Sequence, residues 1–497
     1  MGLSFDRFTH RAVYADFEKP RRFDQNMVVI GGGSAGLVTS YIAAAIKAGV
    51  TLIERHRMGG DCLYTGCVPS KTLLRSAKFV HDASRSQELG IRSATVDFDF
   101  GDLMDRVRQV IATIEPHDSP ERYEGLGVRC VSGTATVESP WQVRVDDRVI
   151  TARSIVLATG ARPFVPPIPG IEDAPMLTSD TLWDLREQPR RLVVLGGGPI
   201  GCEMTQAFAR LGSEVTLVEM MDRIMSVEDE DAGELVADAL TADGVTLLTG
   251  HRATAVEREG DDWVLRAEAG DETVSIPFDH ILVAVGRRAN TSGLGLEDLG
   301  IETNPNGTIQ VNEFLQTRFP NVLACGDVIS PWQFTHSAAH EAYYAAVNGL
   351  FGDIFKQAVD YSTLPWTTFT DPEVARIGLN EQEARDQGIA VEVTRHELTG
   401  LDRALAEEEA KGFVKILTPP GKDKILGATI VGPHAGELIA ELVLARKHGL
   451  GLNKILGTVH VYPTLSEANK FAAGNWRKAH QPTGALKWLE RIHRWRR

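Results

Sequence analysis

Residues 26–56 read NMVVIGGGSAGLVTSYIAAAIKAGVTLIERH, and this stretch predicts the fold of the first part of the chain. The apolar run before the glycines predicts a buried strand, residues 35–48 predict a helix, and residues 50–53 predict a second strand. Three glycines in the turn have the spacing G-x-G-x-x-G: Gly31, Gly33 and Gly36. This spacing lets a pyrophosphate approach the backbone, and Glu54 ends the second strand where it can accept a hydrogen bond from a ribose hydroxyl. The stretch therefore predicts a βαβ unit that binds a dinucleotide.

The same pattern returns at residues 190–225, RRLVVLGGGPIGCEMTQAFARLGSEVTLVEMMDRIM. Its glycines repeat the spacing of the first turn: Gly196, Gly198 and Gly201. Glu219 favours NAD(H) over NADP(H), because a carboxylate at this place repels the additional phosphate, and Arg223 weakens this preference without reversing it. Two dinucleotide sites in one chain are typical of a flavoprotein that is reduced by a nicotinamide nucleotide.

Composition limits the class of protein and its partners. The 497 residues are 43% hydrophobic and 24% charged, which predicts a folded, soluble protein of two to four domains. The formal net charge of −15 argues against nucleic acid as a partner. The N-terminal residues lack the apolar core of a secretory signal, and no apolar run is long enough to span a membrane, so a cytoplasmic location is expected.

A pair of cysteines, Cys62 and Cys67, lies in the stretch GGDCLYTGCVPSK at 59–71. At the start of a helical segment this spacing can close a small disulfide ring, and the helix N-terminus lowers the pKa of a thiol. Half of a zinc site and two unpaired core thiols remain alternatives, although the chain offers no second close group of Cys and His ligands, so no metal site is predicted. The remaining cysteines are isolated and are predicted to be structural: Cys130, Cys202 and Cys325.

The order of these motifs resembles the class I pyridine nucleotide-disulfide oxidoreductases, the family of dihydrolipoamide dehydrogenase, glutathione reductase and mercuric reductase. The resemblance covers about residues 24–473 and rests on these motifs: Gly31 to Gly36, Cys62 to Lys71, Ala158 to Gly160, Gly196 to Gly201, Gly286-Arg287, Ala324 to Asp327, and HVYPTLSE at 460–467. It implies an α/β fold with two Rossmann-like domains, for FAD and NAD, a C-terminal α+β dimerisation domain, and a homodimer.

The resemblance also implies boundaries for the domains. They are an N-terminal extension at 1–24, a first FAD segment at 25–160, an NAD(P) domain at 161–288, a second FAD segment at 289–361, an interface domain at 362–473 and a basic amphipathic tail at 474–497.

Roles for individual residues follow from the same resemblance. Cys62 corresponds to the thiol that meets the substrate, and Cys67 to the thiol that lies against the flavin. Lys71 and Glu203 match an ion pair near the flavin. The positions implied in FAD binding are Gly31, Gly33, Gly36, Glu54, Lys71, Gly160, Asp327 and His336, and those implied in NAD(H) binding are Gly196, Gly198, Gly201, Glu219 and Gly286.

The chain departs from the family in the motif that supplies the acid and base. The disulfide reductases carry a His before the proline, and here that residue is Tyr462, while Glu467 remains. In an extended segment His460 would point to the same face as Tyr462, so both residues are candidates for the acid/base role. A tyrosine with a pKa of about 10 is a poor base near neutral pH but can donate a hydrogen bond. Tyr64 is a second departure, because relatives carry Asn there, and its ring is expected to narrow access to Cys62.

The expected activity is electron transfer from NAD(P)H through FAD and the cysteine pair to a small-molecule or protein disulfide. Three alternatives stay open: metal reduction of the mercuric reductase kind, direct transfer from flavin to quinone or oxygen, and a non-catalytic flavin redox sensor. Mercuric reductases resemble this chain in the Tyr of the motif, but they deliver the metal through a C-terminal cysteine pair, and no cysteine follows Cys325 here.

The tail carries a separate signal. Apolar residues fall on one helical stripe and basic residues on another: Ala485, Trp488, Leu489, Ile492 and Trp495 on the first, and Lys487, Arg491 and Arg494 on the second. Two interpretations are open, a helix docked on the acidic body of the protein, or reversible attachment to an anionic membrane surface or to a partner.

Overall fold

The computed structural model describes residues 13–329 and 331–497. Its strands are β1 (Gln25–Ile30), β2 (Val50–Glu54), β3 (Val128–Ser132), β4 (Ala135–Ser139), β5 (Gln142–Val145), β6 (Arg148–Leu157), β7 (Ala161–Pro163), β8 (Met176–Leu177), β9 (Arg191–Leu195), β10 (Glu214–Val218), β11 (Thr246–Leu248), β12 (Arg252–Glu259), β13 (Asp262–Ala269), β14 (Glu272–Phe278), β15 (His280–Val283), β16 (Arg287–Ala289), β17 (Val322–Ala324), β18 (Pro365–Thr368), β19 (Glu373–Gly378), β20 (Glu392–Glu397), β21 (Phe413–Thr418) and β22 (Gly427–Gly432).

The α-helices follow the same order along the chain. They are α1 (Ser34–Ala45), α2 (Gly60–Tyr64), α3 (Cys67–Ser84), α4 (Phe100–Ile114), α5 (Pro120–Gly125), α6 (Pro199–Arg210), α7 (Glu230–Ala242), α8 (Thr335–Phe351), α9 (Glu381–Asp386), α10 (Asp402–Ala406), α11 (Ala435–Lys447), α12 (Leu452–Leu456), α13 (Glu467–Ala479) and α14 (Thr483–Trp495).

The first sheet contains the first glycine-rich turn. Its strand order is β3-β2-β1-β6-β5-β4, and β17 adds to it by pairing with β6. β1 pairs in parallel with both β2 and β6, so it is a central strand of the sheet. Met27, Val28 and Val29 are fully buried, as expected for a parallel sheet that is covered on both faces. β17 comes from the part of the chain after the second glycine-rich turn, which joins two distant segments into one sheet.

The second sheet contains the other glycine-rich turn. Its order is β11-β10-β9-β15-β8, with every pair parallel, and a three-stranded antiparallel sheet, β12-β13-β14, lies between β11 and β15 in the sequence. The antiparallel pair of β7 and β16 joins the two places where the chain enters and leaves this part. A third sheet, β18-β19-β22-β21-β20, is antiparallel throughout and packs against α11 and α13.

Several elements are shorter than the sequence predicts. The first helix ends at Ala45, because Lys47 adopts a left-handed φ of 66° that cannot continue a helix. In the stretch 317–329, which contains the Ala324 to Asp327 motif, only β17 is a strand, and the other residues form turns, bends and irregular segments. Of the predicted N-terminal extension, 1–24, residues 1–12 lie outside the described part of the chain. Across the described residues, no helix combines the length and apolarity needed to cross a bilayer.

Candidate active site

A cavity of about 1560 Å³ lies where the first and second sheets and the third sheet's β18 approach one another. Both glycine-rich turns line it, and so do Cys62, Cys67 and Asp327. A site for one small molecule usually occupies about 300–1,000 Å³, so this cavity has room for more than one ligand. The sequence placed these residues in different motifs, and the fold brings them to one space.

The first glycine-rich turn joins β1 to α1 and contains the three predicted glycines: Gly31, Gly33 and Gly36. A Cβ on Gly36 would lie 1.8 Å from the carbonyl oxygen of Gly31, so only glycine permits the helix to pack this closely on the turn. Glu54, at the end of β2, accepts hydrogen bonds from the backbone N–H groups of Gly32 at 2.6 Å and His56 at 2.7 Å. A helix N-terminus without a side-chain cap, beside an acid on the next strand, fits the pyrophosphate and ribose of FAD.

The second turn, between β9 and α6, has the same construction with Gly196, Gly198 and Gly201. A Cβ on Gly201 would lie 1.9 Å from the carbonyl oxygen of Gly196. Glu219, at the end of β10, accepts from the backbone N–H groups of Gly197 at 2.6 Å and Met221 at 2.7 Å. The two turns are therefore built alike, and the second one fits a nicotinamide dinucleotide on the same grounds.

Arg223 lies after this turn, but its guanidinium faces the backbone. It donates to the carbonyl oxygens of Ser226 and Glu228, both at 2.8 Å. In this structure the Arg223 guanidinium is therefore engaged by backbone carbonyl oxygens.

The cysteine pair spans the junction of two helices, with Cys62 in α2 and Cys67 as the first residue of α3. Both are free thiols. A hydrogen bond from Cys62 lowers the pKa of Cys67, and so do Thr335, whose Oγ1 lies 3.5 Å from Cys67 Sγ, and the positive charge of Lys71. The same hydrogen bond, together with burial, raises the pKa of Cys62. Cys67 therefore has the lower pKa of the two thiols.

Lys71 lies one helical turn after Cys67 and points to the second glycine-rich turn. Its Nζ is 2.8 Å from Glu203 Oε2, on α6, and 4.4 Å from the centre of the Phe369 ring. Glu203, whose side chain is 6% exposed, also accepts from the backbone N–H of Phe369 at 2.9 Å. This pair joins the helix of the cysteines, the second glycine-rich turn and the segment that follows β18.

Asp327 lies beyond β17, and burial raises its pKa to about 6. Arg287, in the Gly286-Arg287 motif, lies 4.0 Å from this carboxylate, donates to Asp61, and donates to the carbonyl oxygen of Ala161 at 2.8 Å. Asp61 directly precedes Cys62, so one guanidinium links the residue before the cysteine pair to the second segment of the first sheet. Sequence analysis assigned no role to Arg287 or Asp61, because their pairing connects residues that are far apart in the chain.

The remaining predicted cofactor positions also line the cavity: Gly160, Gly286 and His336. The His336 ring stacks on Phe334 with 5.3 Å between ring centres, and its Nε2 is 2.7 Å from the carbonyl oxygen of Pro365. This contact fixes the first turn of α8 against β18. His336 therefore forms part of the wall at the start of α8.

The HVYPTLSE motif lies between α12 and α13, and its two acid/base candidates have different surroundings. Tyr462 is 68% exposed, and its hydroxyl donates to Asp402 Oδ2 at 2.9 Å, which raises the pKa of the phenol. The side chain of His460 is 6% exposed, and its Nε2 lies 2.9 Å from Glu441 Oε1. The shared face expected for these two residues is not found, because the chain bends at Tyr462 instead of continuing as an extended segment.

Glu467 remains close to this bend but does not contact Tyr462 through a hydrogen bond. It begins α13, is 8% exposed, and accepts from the backbone N–H of Thr464 at 3.3 Å. The partners that the structure supplies, Asp402 and Glu441, were not found by sequence reasoning, because neither belongs to a motif.

Tyr64, between the two cysteines in the sequence, is anchored through its hydroxyl and its ring. The hydroxyl donates to Glu115 at 2.8 Å and lies 3.0 Å from the carbonyl oxygen of Met58, while the guanidinium of Arg57 lies 3.9 Å from the ring centre. This clamp fixes the end of α2. The predicted narrowing of access to Cys62 stays a prediction.

Comparison with known protein families identifies the chain. The family model "Pyridine nucleotide-disulphide oxidoreductase" matches residues 25–344, and the dimerisation domain of the same family matches residues 364–473. The chain belongs to this family. It is a flavoprotein disulfide oxidoreductase with a FAD-binding fold and a pyridine nucleotide as its redox partner, which confirms the fold class and the general activity expected from the sequence. The matched dimerisation domain supports a homodimer.

Individual relatives agree with this assignment. A dihydrolipoyl dehydrogenase of Chlamydia pneumoniae is 35% identical over 448 residues, which cover 88% of this chain and 94% of the relative. A mercuric reductase of Bacillus cereus is 33% identical over 450 residues, covering 90% of this chain and 71% of the relative.

Solved structures show the same overall shape. LpdA from Mycobacterium tuberculosis superposes with a TM-score of 0.82 at 28% identity, covering 90% of this chain and 99% of that one. The HOCl-induced flavoprotein disulfide reductase RclA from Escherichia coli superposes with a TM-score of 0.80 at 26% identity, with the same coverage of both chains.

Proposed function

We propose that this flavoenzyme passes two electrons from NADH to a disulfide between Cys62 and Cys67, and from the resulting dithiol to a small-molecule or protein disulfide. The observation that carries the proposal is that the pair lines the same cavity as both glycine-rich turns, with the pKa values of its two thiols shifted in opposite directions. FAD, bound at the first turn, supplies a two-electron carrier between the nicotinamide and the cysteines.

The chain's own residues account for the exchange with the acceptor. The hydride of NADH opens the Cys62–Cys67 disulfide to a thiol at Cys62 and a thiolate at Cys67. The sulfur of Cys62 then attacks the acceptor disulfide, and its proton leaves with the first product thiol. The Cys67 thiolate attacks the mixed disulfide, which re-forms the Cys62–Cys67 bond and expels the second product as a thiolate that takes up one proton from solvent. The net reaction converts NADH, a proton and one disulfide into NAD⁺ and two thiols. Lys71 and Thr335 contribute by holding Cys67 as a thiolate.

Tyr462 is proposed to exchange its hydrogen bond to Asp402 for one to the leaving thiolate, reaching the cysteine pair of the second subunit of the homodimer. Its exposure and its bond to Asp402 leave the hydroxyl protonated at neutral pH. His460 is proposed to be structural, because its side chain is nearly buried and its Nε2 is bonded to Glu441. Under this proposal, proton transfer to an ordinary thiol of pKa about 8.5 is slow, and the preferred acceptor has a more acidic leaving thiol.

The nucleotide is proposed to be NADH, since the Glu219 carboxylate stands at the end of β10 and Arg223 is turned away. We propose the domain boundaries given above. Those at 160/161 and 361/362 fall in connections, whereas 288/289 falls within β16 and 473/474 within α13. We also propose a cytoplasmic location with contact to a membrane surface through the tail at 474–497.

One experiment separates this function from its competitors. The NADH-reduced protein is mixed anaerobically with lipoamide, glutathione disulfide, aromatic disulfides, mercuric ion and a soluble quinone, and reoxidation of the flavin is followed by stopped flow. Under the proposal an aromatic disulfide, whose thiol is acidic, is the fastest, and Cys62→Ser abolishes its turnover. Quinone turnover that survives Cys62→Ser would favour direct transfer from flavin, and failure of NADH to reduce the flavin would favour a redox sensor.

A further inference from the structure

The helix α14, Thr483–Trp495, extends beyond the folded part of the chain. The preceding helix ends at Ala479, and Pro482 separates the two by removing a backbone donor between them. No residue of α14 is buried against the described part of the chain. Its side-chain ion pair, Arg494 to Glu490 at 2.6 Å, lies within the helix itself. The helix is therefore not docked on the acidic body, which was one of the two interpretations of the tail.

The apolar stripe of α14 faces outward. Its members recur with the spacing of one helical face. Three of its large residues are exposed: Trp488 at 62%, Leu489 at 40% and Trp495 at 86%. Two exposed tryptophans on one face of a helix are costly in water, and such patches mark surfaces that bind something. The exposed apolar stripe therefore indicates that α14 binds an apolar partner.

The basic residues of α14 indicate the chemistry of this partner. Five of the chain's 52 Lys and Arg residues lie within 483–497, and only one of its 67 Asp and Glu residues does. The basic residues Lys487, Arg491 and Arg494 form a second stripe, which adjoins the apolar stripe on the side of Trp488 and Trp495. A helix with an apolar face, tryptophans at the border between the two faces and a cationic polar face has the composition of helices that lie in the interface of an anionic membrane.

The charge of the whole protein supports the same choice. With a net charge of −15, the chain as a whole is repelled by an anionic surface, so attraction has to come from a local basic element. The helix also lies outside the dimerisation domain, which ends at residue 473, so the family's dimer contact does not require it. A second copy of this acidic chain could attract the basic face. It would not provide an evident apolar surface to cover the tryptophan side chains.

We infer that α14 binds reversibly to anionic phospholipid bilayers. The helix lies in the plane of the interface, with Trp488, Ile492 and Trp495 among the acyl chains and the basic side chains among the headgroups. The body stands off the surface, because its negative charge is repelled. This inference deepens the membrane contact proposed above and is independent of which molecule accepts the electrons.

The test uses the full-length flavoprotein and sucrose-loaded vesicles that contain either equal parts of phosphatidylglycerol and phosphatidylcholine or phosphatidylcholine alone. We expect co-sedimentation with the anionic vesicles only, a shift of tryptophan emission to shorter wavelength, and release of the protein by salt. Replacing Lys487, Arg491 and Arg494 by Gln should weaken partitioning on the order of 100-fold, at about 1 kcal/mol per basic residue.

A matched variant controls for loss of charge. It replaces three exposed basic residues outside the tail by Gln, namely Arg21, Arg92 and Lys422, and should bind vesicles as the wild type does. The variant Trp488→Ser/Trp495→Ser should lose vesicle binding and the emission shift. In each tail variant, reduction of the flavin by NADH should remain at the wild-type rate, so that failure of the membrane inference is distinct from failure of the proposed activity.

Two results would overturn the inference. The first is equal binding to neutral and anionic vesicles, or none to either. The second is dissociation of the dimer in sedimentation velocity when both tryptophans are replaced, which would show that α14 covers a partner subunit.

Discussion

The hydroxyl of Tyr462 donates to Asp402 Oδ2 at 2.9 Å, across 60 residues of sequence. The carboxylate stabilises the protonated phenol and raises its pKa, so Tyr462 acts as a donor and not as a base. Under the proposed function, this relationship bears on the exchange between the cysteine pair and its acceptor.

Restoring the imidazole should restore proton transfer. In Tyr462→His the new ring would stand beside the Asp402 carboxylate, which can orient it as a general acid. General acid/base catalysis contributes about 10²–10⁴-fold, so we expect lipoamide or glutathione disulfide to oxidise the dithiol at least 100-fold faster, with reduction by NADH unchanged. Stopped-flow measurement of the two half-reactions separates these effects.

The control for this prediction is a substitution of His460, the other candidate for the acid/base role. His460→Ala removes a side chain that is bonded to Glu441, and it should lower stability while leaving the acceptor step within a few-fold of wild type. If Tyr462→Phe is harmless and His460→Ala stops reoxidation, His460 is the acid/base and the assignment of Tyr462 is wrong.

Cys67 should carry the thiolate at neutral pH. Reduction by two electrons should produce a long-wavelength absorbance band from this thiolate beside oxidised flavin. Because the pKa of Cys67 is lowered, the thiolate is lost only at acidic pH, and the band should persist as the pH falls from 8 to 6. Cys67→Ser should abolish the band and Cys62→Ser should retain it. A band that disappears in Cys62→Ser but not in Cys67→Ser would reverse the two roles.

The charge of Glu219 should set the nucleotide preference. Glu219→Gln keeps an acceptor for one of the two backbone N–H groups that the carboxylate binds and removes the repulsion of a ribose phosphate. We expect the ratio of kcat/KM for NADH to that for NADPH to fall about 10-fold, equivalent to about 1.4 kcal/mol. Glu214→Ala, an exposed change on the same strand, is the control and should leave the ratio unaltered. A wild-type enzyme that prefers NADPH would contradict the argument.

Local patterns predicted the parts of the fold in which neighbouring residues make the decisive contacts. The glycines of both turns and the acids that end β2 and β10 lie within one βαβ unit each, so their spacing carries the information. The limits of α1 were missed by a few residues, because the left-handed conformation of Lys47 is not encoded by apolar periodicity.

Contacts between segments that are distant in the chain could not be predicted from local sequence patterns. Asp402 reaches Tyr462, and Arg287 reaches Asp61 across 226 residues, only after the three sheets have packed. The expected common face of His460 and Tyr462 depended on an extended chain, and the bend at Tyr462 separates them. Pairings of this kind are decided by tertiary packing, which single-sequence patterns do not contain.

The ion pair of Lys71 and Glu203 should couple the helix of the cysteines to the second glycine-rich turn. Removing one partner leaves the other charge partly buried without compensation, so Lys71→Met and Glu203→Gln should each lower the free energy of unfolding. Because both changes remove the same contact, the double variant should lose less than the sum, with a coupling free energy of about 1–2 kcal/mol. Urea unfolding of the four proteins gives this value, and additive losses would show that the pair is not coupled.

Glu341 should make the stability of the protein depend on pH. It is fully buried behind the turn of Asp327, accepts from the backbone N–H of Gly326 at 2.6 Å, and has its pKa raised from 4.5 to about 7 by burial. Between these pH values the folded state keeps a proton that the unfolded state has released, so the free energy of unfolding falls as the pH rises. The full effect is on the order of 3 kcal/mol. Glu341→Gln, which resembles the neutral acid, should therefore gain stability relative to wild type between pH 4.5 and 7.5 in urea unfolding, whereas the exposed change Glu313→Gln should not; an identical pH profile in wild type and Glu341→Gln would mean that the buried carboxyl is already ionised in the folded protein.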